Sequence, residues 1–557
     1  MRIVICFFVT LLVFTSCKKE KEVLSKKESK PKVIWQAYDE TKDLASTKQI
    51  EQERMHLKLI NSKILDKNDI WKALENELDS FSEEDYNRLK VFIIEKDIPS
   101  IQQSIKDGKL SYEELTRFYI YRIRKYEIDN SMSLNAVISL NPKVVEQARK
   151  LDKMTKEGIP LHSVFGMPIL LKDNIGTNDM FTTAGAIALE ENAAKDAFIT
   201  EKLLDQHALI LGKANLSEWA YFLCSGCPVG YSAVGGQTLN PYGRMIFETG
   251  GSSSGSGVAV AANFCVAAVG TETSGSILSP SSQNSVVGLK PTIGVLSRSG
   301  IVPISSTLDT PGPMTKNVVD AMILLNVMIG KDINDTASVA VDKDFIIPKK
   351  DAVLEGKRFG VIKPLLEDSL YLKAVQKIKK AGGILVDIEP EQIPLPDFLS
   401  ILNIDMKNDL PVYINAHASD NITIKTIEDA IAFNLKDTLV RVPYGQALFE
   451  GIVNDSTTAE GLEKIKENLK VAARTYFDSQ IDKNQLDAVL SINNYHAGYA
   501  AVAKYPALAV PMGYTDKGEP KGLTFIGKPF SEHQLLLLGY GYELISRERK
   551  SPEKYLN

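Results

Sequence analysis

The chain has 557 residues, 65 Lys and Arg against 70 Asp and Glu, a formal net charge of −5, and 44% hydrophobic and 24% charged residues. Those are the proportions of an ordinary globular protein with length enough for a large core. Acid and base are so nearly balanced that no basic face is implied, so nucleic acid as a partner has no electrostatic support.

Residues 1–17 carry Arg2, an apolar run over 3–14, and small residues before Cys17. The run is too short to span a bilayer and has the length of a signal-peptide core. Phe14-Thr15-Ser16-Cys17 resembles a bacterial lipobox, although an aliphatic residue is more usual where Phe14 stands. This implies lipidation of Cys17 and anchoring to a membrane of the bacterial cell envelope. Ordinary cleavage, with Cys17 incidental, is the alternative. The charged stretch beginning at Lys18 and the lack of an A-x-A site favour lipidation. Residues 18–33 read as a charged, disordered tether that cannot bury a core.

Residues 34–96 read as a helical extension. Ile70, Trp71, Leu74, Leu78 and Phe81 recur at helical spacing behind Asn68 and Asp69, either of which suits an N-cap. Ser111 and Glu114 form a capping-box pattern ahead of Leu115, Phe118, Tyr119 and Ile123. A strand over 136–140 and a helix over about 142–154 follow. Strands at 167–171, 208–212, 358–362, 384–388, 487–491, 507–511 and 522–527 then alternate with helices at 199–206, 370–381 and 532–547. Such alternation predicts an α/β fold, one large domain over 97–557 with its sheet covered by helices on both faces. Residues 396–480 read as a mostly helical insertion that shapes a substrate mouth.

The densest chemistry lies between Gly250 and Pro280. A Ser/Gly cluster, Gly250 to Ser256, leads into Val258, Val260 and Ala262 at helical spacing, then a β-like run over 265–269, then a small-residue turn from Thr271 to Ser276. Glycines at such turns let backbone N–H groups approach a ligand, as an oxyanion hole requires. Cys224 and Cys227 have redox or zinc spacing, but no second pair or clustered histidines complete a metal site. A short-loop disulfide and two free thiols are equally open; Cys265, inside an apolar run, reads as a core residue. None of the histidines, at 56, 162, 207, 417, 496 and 533, stands in a recognisable triad motif. Lys172, emerging from the buried 167–171 strand, is either a solvated lysine capping that strand or, if buried, a base, because burial disfavours its ammonium form.

The run Gly250-Gly251-Ser252-Ser253-Ser254-Gly255-Ser256, the stretch Gly270-Thr271-Glu272-Thr273-Ser274-Gly275-Ser276-Ile277, the stretch Val286-Val287-Gly288-Leu289-Lys290-Pro291-Thr292 and the upstream Gly166-Met167-Pro168-Ile169-Leu170-Leu171-Lys172-Asp173-Asn174-Ile175 together resemble the amidase signature family. The resemblance runs from about residue 97 to the end and is nearest to bacterial peptide amidases, through Asn215-Leu216-Ser217-Glu218-Trp219, Gly235-Gly236-Gln237-Thr238 and Asp309-Thr310-Pro311-Gly312-Pro313-Met314. It implies a mixed, twisted sheet wrapped by helices, no cofactor or metal, no obligate protein partner, and hydrolysis of a peptide or small-molecule amide. It also implies roles. Ser276 would be the nucleophile, Ser252 a proton relay following a cis peptide bond with Gly251, and Lys172 the base. Ser253 would support the lysine, and N–H groups of Thr273, Ser274, Gly275 and Ser276 would form the oxyanion hole.

The sequence departs from the family pattern at Leu278, where many relatives carry an arginine able to hold a carboxylate. Ser491-Ile492-Asn493-Asn494 also lacks the usual Pro-Thr after the late strand. Three readings follow: a lipid-anchored amidase acting on peptide C-terminal amides or on aryl or fatty amides; a transamidation subunit of a tRNA-dependent amidotransferase; and a catalytically inactive binding protein. The signal-like segment argues against the second, and the intact Lys172, Ser252 and Ser276 against the third.

Overall fold

In the computed structural model, which describes residues 34–341 and 353–556, Ser111 Oγ accepts the Glu114 N–H while Glu114 accepts the Ser111 N–H. This capping box starts the helix Tyr112–Glu127, whose apolar face packs into the main core. The segment containing Cys17 and the tether lies outside the described residues.

The strands, in chain order, are β1 (Val137–Leu140), β2 (Pro168–Lys172), β3 (Leu209–Ala214), β4 (Tyr231–Ser232), β5 (Gly236–Gln237), β6 (Ala267–Glu272) and β7 (Val287–Lys290). There follow β8 (Thr310–Thr315), β9 (Arg358–Ile362), β10 (Ile384–Ile388), β11 (Ala488–Ile492), β12 (Ala507–Tyr514) and β13 (Pro520–Ile526). All but the β4–β5 pair join one mixed sheet of order β1-β3-β2-β6-β8-β7-β12-β13-β11-β9-β10. Its two parallel blocks, β3-β2-β6 and β11-β9-β10, flank an antiparallel centre. The expected α/β architecture is present, with helices on the sheet.

β8 departs from the sequence reading. Thr310-Pro311-Gly312-Pro313-Met314-Thr315 has two prolines and a glycine, a composition that argues against a central strand. It nevertheless pairs with β6 along Ala268–Glu272, while its ladder with β7 reaches only Thr315 and Met314 and stops before Pro313. The missing proline N–H groups are thereby kept out of the β7 ladder.

The 34–96 region is helical only in pieces. Ile70, Trp71, Leu74, Leu78 and Phe81 are all buried, but they lie on 3₁₀ turns at Lys67–Ile70 and Lys72–Leu74, at the join between the two (Trp71), on a short helix Glu75–Asp79, and on the chain after it. The spacing suits a 3₁₀ turn as well as an α-helix. The cap is Asp66, which accepts the Asn68 N–H; Asn68 itself binds the Trp35 backbone. Trp71, Tyr86 and Leu89 of this region share one core with the central strands.

Two apolar clusters hold the molecule. The larger contains β2, β6 and the helix Ser254–Ala261; the second contains Trp219, Leu278 and the inward faces of the helices Phe398–His417, Ala447–Asn454 and Ala459–Asn484. Among the described residues, no helix is long and apolar enough to cross a membrane.

Candidate active site

β2 and β6 run parallel, with Leu170 opposite Ala268 and Leu171 opposite Val269, so their carboxyl ends deliver Lys172, Thr271 and Glu272 to the same edge of the sheet. Lys172 is the last residue of β2, one position inside the strand rather than just beyond it. The side chain is fully buried. Nζ donates to Ser252 Oγ at 2.8 Å, Thr271 Oγ1 at 2.8 Å and the Thr271 carbonyl at 3.2 Å. Burial draws its pKa down to about 7, against the opposing pull of Asp309 and Glu272. An amine with that affinity is substantially neutral near neutral pH. It then has two N–H groups and a lone pair for three partners, so one hydroxyl can turn its O–H onto the nitrogen.

Ser252 follows a cis peptide bond with Gly251 and precedes the helix Ser254–Ala261. Among the described residues Ser253 makes no hydrogen bond to the lysine. Its hydroxyl donates to the Thr271 carbonyl at 3.0 Å and accepts the Thr271 N–H at 3.1 Å, so it braces the residue that holds Lys172. Ser276 is joined to the cluster through its carbonyl, which accepts the Ser253 N–H at 3.1 Å. Among the described residues its Oγ makes no hydrogen bond, to Ser252 or to any other group.

Gly275 departs from expectation. Its φ of 84° is in the left-handed region, where glycine alone is unstrained. Its N–H, however, donates to Glu272 Oε1 at 2.7 Å and is not available to a substrate oxygen. Glu272 also accepts the N–H groups of Ile277 at 2.7 Å and Leu278 at 3.0 Å, so one buried carboxylate shapes the turn. The N–H groups of Thr273, Ser274 and Ser276 make no such bond among the described residues, and an oxyanion hole would fall to them. Glu272→Gln, which sets an amide N–H against these donors, is expected to lower kcat about 10- to 100-fold and stability by about 1–3 kcal/mol. Steady-state kinetics and denaturant unfolding measure both; a wild-type kcat would mean that the turn holds itself.

Sequence reasoning passed over Thr271, Glu272 and Asn174 as site residues, although all three stand inside the motifs quoted for the resemblance. Asn174 Nδ2 donates to Thr271 Oγ1 at 3.1 Å, and Asp309 accepts the Thr273 hydroxyl at 2.6 Å. Of the histidines, His496 pairs with Ser491 Oγ at 2.6 Å, and burial pushes its pKa down to about 4. No histidine bonds Lys172, Ser252 or Ser276 among the described residues. Asp173 points elsewhere, 3.7 Å from Lys213. Among the described residues no group of three His, Cys, Asp or Glu side chains is placed to hold a metal ion.

A cavity of about 280 Å³ opens beside this cluster, lined in part by Asn174, Thr271, Thr273, Arg298, Asp309 and Asp409. Leu278 is not on its wall; it is packed into the second core. Cys224 and Cys227 form a disulfide, which settles the sequence-level alternative. The preceding residues Trp219, Ala220 and Tyr221 all have positive φ, and Ala220 reaches the cavity wall. Cys265 is buried and free.

The buried amine against Ser252, at the carboxyl edge of parallel strands and beside a cavity, supplies a proton acceptor next to room for a substrate. Residues 114–491 match the Amidase family. A probable amidase from Arabidopsis thaliana is 33% identical over 484 residues, covering 83% of this chain and 92% of that protein. Among solved structures, an amidase family protein from Bacillus anthracis superposes with a TM-score of 0.83 at 37% identity, covering 88% of this chain and 99% of its own. The peptide amidase from Stenotrophomonas maltophilia superposes with a TM-score of 0.76 at 36% identity, covering 82% and 98%. The chain belongs to the amidase family, and it is an amidohydrolase.

Proposed function

We propose that the enzyme converts C-terminal amides of short peptides to acids, with Ser276 as nucleophile, Ser252 as relay and Lys172 as base. The observation that carries this reading is the 2.8 Å contact between the buried Lys172 amine and Ser252 Oγ. A neutral amine there accepts the Ser252 proton as Ser252 takes that of Ser276, whose oxygen bonds the carboxamide carbon. The negative oxygen that forms is met by the free N–H groups of the 273–276 turn. Returning the proton to nitrogen breaks the C–N bond and releases ammonia, leaving Ser276 acylated. Water, deprotonated by the same relay, then releases the acid. Likeness to a solved peptide amidase supports the choice of substrate. Incubation with an amidated peptide should raise its mass by about one unit with internal bonds uncut. Fragments would instead mark a peptidase, and turnover of aryl or fatty amides alone would remove the peptide claim.

We further propose that Cys17 is lipidated and holds the enzyme at an envelope membrane, on the strength of the apolar run and charged tether around it. Cys17→Ser should lose both metabolic lipid label and stable membrane association. Equal labelling of wild type and variant would overturn this.

A further inference from the structure

The cavity wall is largely apolar, with Ile301, Val302 and Val412 on it, and its charged groups are few. Asp309, Asp335 and Asp409 line it, and Arg298, its one Lys or Arg side chain among the described residues, is already engaged. Arg298 Nε donates to Asp335 Oδ2 at 2.9 Å, Nη2 donates to the other Asp335 oxygen, and Nη1 donates to the Ser306 carbonyl. Asp309 is also occupied, by the Thr273 hydroxyl and by the N–H groups of Ile304 at 2.8 Å and Ser305 at 2.9 Å. Asp409, on the helix Phe398–His417, accepts the Ser306 N–H at 2.6 Å and is only half-buried. With Arg298 set against Asp335, and burial holding the His417 ring toward its neutral form, Asp309 and Asp409 remain; burial raises both carboxyl groups, Asp409 only to about 6, so Asp409 carries a negative charge near neutral pH.

A second observation is independent of that charge. Asn174 is 3% exposed and lines the same cavity. Its Nδ2 donates to Thr271 Oγ1 and, at 3.4 Å, to the Val302 carbonyl, which can only accept and so fixes the orientation of the amide. Among the described residues its Oδ1 has no hydrogen-bond partner. A buried acceptor left unmet beside a cavity is a place for a ligand's donor.

We propose that this cavity selects carboxamides whose acyl portion carries an ammonium or guanidinium group, with Asp409 facing the cation and Asn174 Oδ1 accepting a substrate N–H. The proposal rests on the amide-hydrolase reading and narrows its substrate class. An anionic acyl group would meet carboxylates and no free cation, so the same wall also rejects.

The test uses N-acetylated dipeptide amides that differ only in the amidated residue: lysine, norleucine or glutamate. The expected order of kcat/KM is lysine, norleucine, glutamate, with lysine about tenfold over norleucine. In Asp409→Asn, which keeps an acceptor for the Ser306 N–H, the lysine-to-norleucine ratio falls to near one. A ratio within one preparation does not depend on how much of the protein is folded. A wild-type ratio of one, or an unchanged ratio in Asp409→Asn, overturns the proposal. Calorimetric binding of the lysine and norleucine amides to Ser276→Ala protein separates this claim from the hydrolase reading. Equal affinities there overturn charge selection. Charge-selective binding without turnover of any carboxamide by wild type sustains the selection and sinks the hydrolase reading instead. Asn174→Ala should weaken all three amides by a common factor, and unchanged binding removes Asn174 from the site.

Discussion

Lys172→Met should lower kcat by about 10³-fold or more and yet make the protein harder to unfold. The loss follows from removing the proton acceptor that touches Ser252. The stabilisation follows from the cost of the lysine itself. In the folded state its pKa is about 7 against an ordinary 10.5, so the unfolded chain binds the proton more tightly. Near neutral pH that difference is worth about 4 kcal/mol in favour of unfolding. Methionine removes this term, while orphaning Ser252 Oγ gives back about 1–3 kcal/mol. Because the unfolded state holds the extra proton between about 7 and 10.5, the wild type gains stability as pH rises through that window. The advantage of Lys172→Met should therefore be largest below about 7 and fade toward 10.5. Activity should move the same way as wild-type stability, kcat/KM rising as pH climbs through about 7 and the amine loses its proton. Denaturant midpoints and pH–rate profiles read both; a wild-type kcat in the variant would send the search for the base elsewhere.

Ser276→Ala should abolish the acyl-enzyme and cost about 10³- to 10⁶-fold in kcat, with substrate affinity nearly unchanged. Wild type quenched in acid during turnover of a slow substrate should carry the acyl mass on the peptide containing Ser276, and the variant should carry none. Ser252→Ala should be comparably damaging, and the double variant little worse, because residues that act as one relay are not additive. An adduct on Ser252 in the Ser276→Ala protein would exchange the roles of the two serines. The geometry makes that a real test, since Ser252 already touches the base while Ser276 Oγ has yet to engage it.

Elements whose signal is local were legible in the sequence. The Ser111–Glu114 box, β9 and β10 with the helix Ser369–Lys380 between them, and the buried strand leading to Lys172 all lie within a residue or two of where pattern places them. β8 was not, because its prolines are tolerated only through a truncated ladder with β7, a fact about a neighbouring strand. The Asp66 cap was missed because nearer candidates, Asn68 and Asp69, suited the same position. At the site, residue identities were legible and partnerships were not. Nothing in the stretch from Gly270 to Ser276 announces that Glu272 reaches forward to bind Gly275, Ile277 and Leu278, or that Ser253 serves Thr271 and not Lys172. Those bonds depend on how the turn folds over the end of β6.

The division of the interior into two apolar clusters bears on how such an enzyme can diversify. The apolar residues of β2, of β6 and of the helix that follows Ser252 are packed in the larger cluster. Asp409 rides on a helix whose apolar face is packed in the other. Substitutions among the helices from Phe398 to Asn484 therefore disturb a core that meets the catalytic turn at Leu278 but not the apolar faces of β2 and β6, and their destabilising effects should add to those at β2 and β6. A lineage drifting toward new amides, or a mutagenesis library confined to those helices, can sample substrate preference while the proton relay stays in register.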